Sequence, residues 1–197
     1  MVDNPLTVRQ RACELARQRL QMQPLFLDTE TTGVRSIAEV IEICLLDHMG
    51  EVLLDSFVRP RHAIPPASTQ IHGISSAMVA TAPTWAELWP QVQAIIENRP
   101  IGIYNVDFDL RLLKQSHHHA GLIWPSIQFD PFCIMQIYAQ FYGEWDLHRN
   151  AYRWQSLEKA GHHFNLSLPN SHRAKDDALL ARAVLHQIAK EELGIRN

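Results

Sequence analysis

Cysteine is scarce in this chain: three in 197 residues, Cys13, Cys44 and Cys133, far apart and with no CxxC pair. An odd, scattered set of thiols supports neither a disulfide framework nor a zinc cluster, and fits a reducing cytoplasm. No run of 18 apolar residues occurs, so no membrane span is expected, and the N-terminus lacks the basic-then-apolar order of a secretory signal. A surplus of positive charge is also missing. The 18 Lys and Arg are outnumbered by 21 Asp and Glu, giving a net charge of -3 with neutral His. A chain that holds nucleic acid by bulk charge alone is strongly basic. Any such partner here has to be met by local charge or by metal ions. There is no internal repeat, and the one low-complexity spot is His117-His118-His119.

What is there is ordinary in bulk. Hydrophobic residues make up 46% and charged residues 20%, and the length fits one domain able to bury a sizeable core. Val8, Ala12, Leu15, Ala16 and Leu20 follow helical spacing and predict a helix over 7–22. Arg9, Arg11, Arg17 and Arg19 fall on its solvated side, and Pro24 closes it. Leu25-Phe26-Leu27 reads as a short buried strand. Residues 41–46 and 51–58 read as paired strands around the turn Asp47-His48-Met49-Gly50. Prolines mark 59–67 as a loop. Thr84 and Glu87 have the spacing of a capping box, with a helix to about 98. Further on, 101–104 reads as strand, 108–119 and 132–142 as helices, and 143–153 as loop. A short helix over 154–161 is ended by Gly161, and the last helix covers 174–193. Strands first, then helices alternating with strands, predict an α/β domain with a mixed central sheet flanked by helices.

Three segments carry chemistry. In Phe26-Leu27-Asp28-Thr29-Glu30-Thr31-Thr32-Gly33, Asp28 and Glu30 are two apart and point to the same side of a strand. Adjacent like charges raise each other's pKa, and a divalent cation with hard oxygen ligands relieves that cost. Two solvated loop acids would satisfy the same residues. In Tyr104-Asn105-Val106-Asp107-Phe108-Asp109, an acid can cap the following helix, or Asp109 can turn back toward the strand ends where sites of this fold class form. In Ser171-His172-Arg173-Ala174-Lys175-Asp176-Asp177-Ala178, the helix dipole accounts for acids in a first turn. It does not account for His172 five residues before Asp177.

Taken in order, these segments resemble the motifs of the DEDDh 3′→5′ exonuclease superfamily, the DnaQ-like group that contains the proofreading epsilon subunit of bacterial replicative polymerases. The carriers are Asp28-Thr29-Glu30-Thr31-Thr32-Gly33, Asn105-x-x-Phe108-Asp109 and His172-x4-Asp177, with Ile71-His72-Gly73-Ile74 between the first two. The resemblance runs from about residue 25 to 190. It implies a ribonuclease H-like fold, with 25–197 as the exonuclease domain and 1–24 as an N-terminal helical extension. It also implies two Mg²⁺ or Mn²⁺ ions held by Asp28, Glu30, Asp109 and Asp177, and hydrolysis from the 3′ end releasing nucleoside 5′-monophosphates. Asp28 would bridge both ions, Glu30 and Asp177 would join it on one, and Asp109 would act through water. His172 fits the general base. The tyrosine sub-class carries Tyr where this chain has Arg173.

Phosphodiester hydrolysis supports that assignment independently. Two cations stabilise the entering and leaving oxygens, and an imidazole accepts a proton near neutrality. With the four acids set aside, 17 acids remain against 18 Lys and Arg, so the surface need not repel a nucleic acid. By the same resemblance Thr31, His72 and Asn105 are candidate substrate contacts. Tyr104 departs from the His that precedes Asn in many relatives. Trp85, Trp89, Trp145 and Trp154 can stack on bases only if exposed; Trp89 and Trp154 are read as core, and His117–His119 as a solvated helix end. The expected partner is a nucleic-acid 3′ end, single-stranded DNA in preference, with an RNA-trimming 3′→5′ exoribonuclease as the alternative. A polymerase or other replication or repair protein is a further candidate, with the N-terminal helix as the feature to watch.

Overall fold

The computed structural model describes residues 7–167 and 171–191. Five strands form a mixed sheet in the order β3-β2-β1-β4-β5. β1 (Leu25–Thr31), β2 (Val40–Leu46) and β3 (Val52–Phe57) are an antiparallel meander. β4 (Pro100–Ile103) and β5 (Asp130–Cys133) extend the other edge in parallel. α1 (Val8–Gln21) precedes the sheet, and α2 (Pro66–His72) and α3 (Trp85–Ile96) lie between β3 and β4 in sequence. α4 (Val106–His119) links β4 to β5. After β5 come α5 (Ile134–Tyr142), a two-stranded hairpin of β6 (Trp145–Asp146) and β7 (Ala151–Tyr152), α6 (Leu157–His163) and α7 (Ala174–Lys190).

The alternation of β1 sorts the core into two layers. Leu25 and Leu27 join the cluster that holds Trp85, Leu88 and Val92 of α3 and Leu112 of α4. Phe26 joins the opposite cluster, with Ala12 and Ala16 of α1, Tyr138 of α5 and Leu185 of α7. β2 is buried along its whole length, as expected for an inner strand covered on both faces. The hairpin turn between β2 and β3 is closed by Asp47, whose Oδ1 accepts from the amides of Met49 and Glu51, and Gly50 adopts φ +92° there.

Several boundaries differ from the sequence reading for identifiable reasons. β5 sits where a helix was expected from 132. It has four residues and carries Pro131, which an edge strand tolerates, and the apolar pattern of α5 begins directly after it. The loop 59–67 runs into α2, whose first residue is Pro66. Gly161 lies inside α6 rather than ending it: a Cβ there would stand 3.1 Å from Leu180, so its smallness lets α6 approach α7. The predicted 174–193 helix is seen to Lys190, and 192–197 lie outside the described residues. Trp154 is 53% exposed rather than core. His117 is buried rather than solvated, with its Nδ1 accepting from Trp85 Nε1 at 2.9 Å inside an aromatic box with Trp89 and Trp124. No helix among the described residues is long and apolar enough to cross a membrane.

α1 is capped by reciprocal bonds between Thr7 and Gln10 and packs on α5 and α7. Its arginines are drawn into the domain. Arg9 pairs with Glu191 at 3.1 Å and lies over the Phe141 ring, and Arg19 pairs with Asp130. Arg17 donates to the carbonyls of Ala189 at 2.9 Å and Glu191 at 2.6 Å. The final carbonyls of a helix have no partner within it, so Arg17 caps α7 from a distance. Hydrogen bonds from a charged donor are worth about 1.5–3 kcal/mol each before solvent screening, and Arg17 is partly exposed. Arg17→Ala is therefore expected to lower the melting temperature by about 2–8 °C, with Arg17→Lys between it and the wild type. An unchanged melting curve for Arg17→Ala would remove the brace.

Candidate active site

β1 is apolar to Leu27 and then carries Asp28, Thr29, Glu30 and Thr31. Its alternation puts Asp28 and Glu30 on the face of Phe26, toward α7, and Thr29 on the face of Leu27, toward α4. Both neighbours answer with an acid in their first turn. From α7, the buried Asp177 places a carboxylate oxygen within 4.8 Å of oxygens of Asp28 and Glu30. From α4, the buried Asp109 accepts a hydrogen bond from Thr29 Oγ1 at 2.7 Å. α4 starts directly after β4, which runs parallel to β1. The C-terminal halves of adjacent parallel strands thus gather acids from three segments distant in sequence.

These carboxylates sit where charge is disfavoured. Burial, then Asp109, Asp177 and Glu30, drive Asp28 well above the usual carboxylate range. Burial first and Asp177 second push Glu30 up to about 8. Burial lifts Asp109 to about 7 against the opposing Thr29 hydrogen bond, and lifts Asp177 to about 6 against the nearby His172. Asp177 Oδ1 is buried and has no hydrogen-bond partner. An orphaned carboxylate oxygen facing two more carboxylates is a donor set for a hard divalent cation. Across β2, Cys44 stands opposite Asp28, and burial pushes its thiol up to about 12.

The other sequence candidates fall around this cluster. His172 is exposed, with φ +50°, just ahead of α7. His72 is 5% exposed, and its Nδ1 accepts from the Ile74 amide at 3.0 Å. That bond places the ring proton on Nε2, which is buried without a partner. Thr31 is buried, and its hydroxyl donates to the Gly33 carbonyl at 2.8 Å. Asn105 is the N-cap residue of α4, but its side chain makes no capping bond.

Two supporting residues escaped the sequence reading. Glu42 stands opposite Glu30 in the β1–β2 ladder and is 3% exposed. It accepts from Arg173 Nε at 3.1 Å to each oxygen and from the Ala174 amide at 3.0 Å. Arg173 also lies over the Phe57 ring, 5.4 Å from its centre. This clamp fixes the first turn of α7, and with it Asp177. Its signal was a lone acid inside Val40-Ile-Glu-Ile-Cys-Leu-Leu46, since a charge in an all-buried strand needs a partner. The other is Thr29, a hydroxyl between two acids on the opposite face.

The raised carboxylates make the metal-free protein pH-sensitive. A group whose folded pKa lies above its unfolded value stabilises the fold at low pH, and that stability is lost as pH rises through the folded value. Burial depresses His72, His117, His163 and His186, and these act in the opposite sense below about 6.5. Above about pH 7 the acids remain, with Glu30 at about 8, and toward pH 9 the buried thiols of Cys13, Cys44 and Cys133, also raised by burial, act in the same sense. The melting temperature in chelator should therefore fall from pH 7 to 9, and added Mg²⁺ should restore more of it at pH 9 than at pH 6. A metal-free melting temperature that rises from pH 7 to 9 would contradict the raised carboxylates.

A sequence model of the exonuclease family (RNase_T) matches residues 25–185, from the first strand into α7. An exonuclease of Escherichia phage 186, CP81, described as uncharacterized, is 34% identical over 194 residues, covering 93% of this chain and 95% of its own length. The DNA polymerase III subunit epsilon of Treponema pallidum is 29% identical, covering 77% of this chain and 69% of its own. Among solved structures, exonuclease X in complex with 5′ overhanging duplex DNA superposes with a TM-score of 0.62 at 24% identity, over 83% of this chain and 89% of that one. That likeness shows a shared ribonuclease H-like fold. The acid-bearing segments all lie inside the matched region, and the chain belongs to the DnaQ-like exonuclease family.

Proposed function

We propose that the protein hydrolyses nucleic acid from the 3′ end, with DNA as substrate and single-stranded ends preferred, using two divalent metal ions and releasing nucleoside 5′-monophosphates. The observation that carries this reading is the cluster of Asp28, Glu30 and Asp177 within 4.8 Å, with Asp109 anchored beside it by Thr29. Two bound divalent ions would supply positive charge to the phosphodiester oxygens and an attacking water acidic enough for neutral pH. Asp28, Glu30 and Asp177 would hold them, with Asp109 oriented by Thr29 for the same task. His172 takes the proton of the attacking water; its exposed turn leaves it room to approach a bound strand. Thr31, His72 and Asn105 are assigned by the family resemblance to the terminal nucleotide; Nε2 of His72 makes no well-formed hydrogen bond and lies by the Thr31 backbone. Mg²⁺ or Mn²⁺ suits the all-oxygen donor set.

DNA is supported by two of the relatives, a polymerase epsilon subunit and an exonuclease solved on a DNA duplex. Residues 25–197 are proposed as the exonuclease domain and 1–24 as an extension that braces α7. The polymerase-docking role left open for the N-terminal helix draws no support from its packing, because its arginines are engaged with its own domain.

A time course on matched single-stranded DNA, recessed duplex and RNA with Mg²⁺ tests the assignment. Single-stranded DNA should shorten fastest from a free 3′-hydroxyl. Excess chelator or a 3′-phosphate should stop it, and a circular strand should survive. Cleavage of the circle, or full activity in chelator, would overturn the reading, and faster RNA trimming would replace DNA as substrate. Asp28→Ala, Glu30→Ala, Asp109→Ala and Asp177→Ala should each abolish activity in a folded protein.

His172→Gln keeps a polar side chain and removes the base. Its turnover should drop about 10²–10⁴-fold. Turnover within about threefold of wild type from pH 6 to 7.5 would take the proton transfer away from His172.

A further inference from the structure

The β6–β7 hairpin is amphipathic in an unusual direction. Trp145 pairs directly with Tyr152, and their rings meet edge-on at 5.0 Å, so both lie on one face. The ladder continues through a bond from the Arg153 amide to the Glu144 carbonyl at 2.8 Å. Trp154 follows two residues beyond Tyr152, just past the end of β7. The opposite face is charged and self-satisfied: Arg153 pairs with Glu144 at 2.8 Å and with Asp146 at 3.8 Å. The aromatic face is the one left open. Trp145 is 45% exposed, Trp154 53%, and Leu147 at the tip 85%.

An isolated two-stranded hairpin is marginal in water, and this one is held at its neck. Gln155 is buried and donates to Glu144 at 3.0 Å. Its carbonyl accepts from Tyr104 Oη at 2.9 Å. Tyr104 directly follows β4 and stands five residues before Asp109, so the hairpin is tethered to the strand end from which α4 carries Asp109. The cation at the tip is uncommitted: Arg149 donates its backbone amide to Asp146 at 3.2 Å, and its side chain has no partner among the described residues.

We propose that this hairpin is a stacking platform for the nucleic-acid strand leading into the site, with Trp145 and Trp154 against bases and Arg149 against phosphate. This rests on the exonuclease reading above. Stacking on indole faces is indifferent to sequence, which suits an enzyme that removes whichever nucleotide comes next. It also supplies attraction that a chain of net charge -3 does not supply in bulk. A free cation at the tip of a hairpin that also exposes two indoles suits a polyanion with flat bases, which uses both.

The test is binding of a fluorescein-labelled 12-mer oligothymidylate to the full chain with Ca²⁺ in place of Mg²⁺, followed by anisotropy and by tryptophan fluorescence. Trp145→Ala and Trp154→Ala should each weaken binding about 5- to 100-fold. Arg149→Ala should reduce the slope of log affinity against log salt by about one. Trp145→Phe/Trp154→Phe keeps stacking rings, so it should bind nearly as wild type yet lose most of the fluorescence quenching. Three results would each overturn the platform: wild-type affinity in both alanine variants, unchanged quenching in the double phenylalanine variant, or alanine variants that lose only self-association measured by light scattering. If the wild type neither binds the 12-mer nor shortens it with Mg²⁺, the exonuclease reading fails instead. If it shortens the strand while the tryptophan variants bind equally well, the platform alone fails.

Discussion

Carboxylates crowded together, Asp28 and Glu30 half-buried and Asp109 and Asp177 buried, are the constraint around which the rest of this fold is arranged. Asp28 is lifted by burial and by Asp109, Asp177 and Glu30 together. A core would ordinarily exclude such a group. The surrounding elements place three acids together on one face of β1 and a fourth on the other, and each has a separate support. Thr29 steadies Asp109 through the strand. Glu42 and Arg173 steady the helix that brings Asp177. The clamp also keeps Glu42 occupied. It stands opposite Glu30 and would be one more unpaired acid beside the cluster without the guanidinium and the Ala174 amide.

The acid-bearing segments were legible because their residue types conflict with their neighbours: Asp28 and Glu30 end an apolar strand, and Asp177 follows a histidine in a helix start. Long elements with clean periodicity, α1, α3, α4 and α7, were legible for the reason that one face of each is apolar. What stayed hidden depends on partners far away in the chain. β5 is four residues long and becomes a strand by lying beside β4. Gly161 reads as a helix stop until Leu180 is found against it. His117 reads as one of three solvated histidines, yet Trp85, Trp89 and Trp124 enclose it. Glu42 left a local trace that went unused, an acid in a strand otherwise made for burial.

Tryptophan serves opposite ends in the two halves of the molecule. Trp85 and Trp89 close one side of the sheet around His117, where indole N–H groups find internal acceptors in His117 and Gln93. Trp145 and Trp154 stand outward at a hairpin whose opposite face is held by the ion pairs of Arg153 with Glu144 and Asp146. The same residue type is core in one case and surface in the other, and the difference lies in whether the flanking chain can fold a layer over it.

The acid cluster spans the chain in time as well as in space. Asp177 leaves the ribosome about 150 residues after Asp28, and the strand that carries Asp28 is near the start of the described structure. Closing so long a loop is entropically costly, and it cannot begin until α7 has been made. A nascent chain that has folded its meander, β4 and α4 would hold Asp28, Glu30 and Asp109 but lack the third member of the close trio. In that order of synthesis the close trio is completed only when α7 docks against β1.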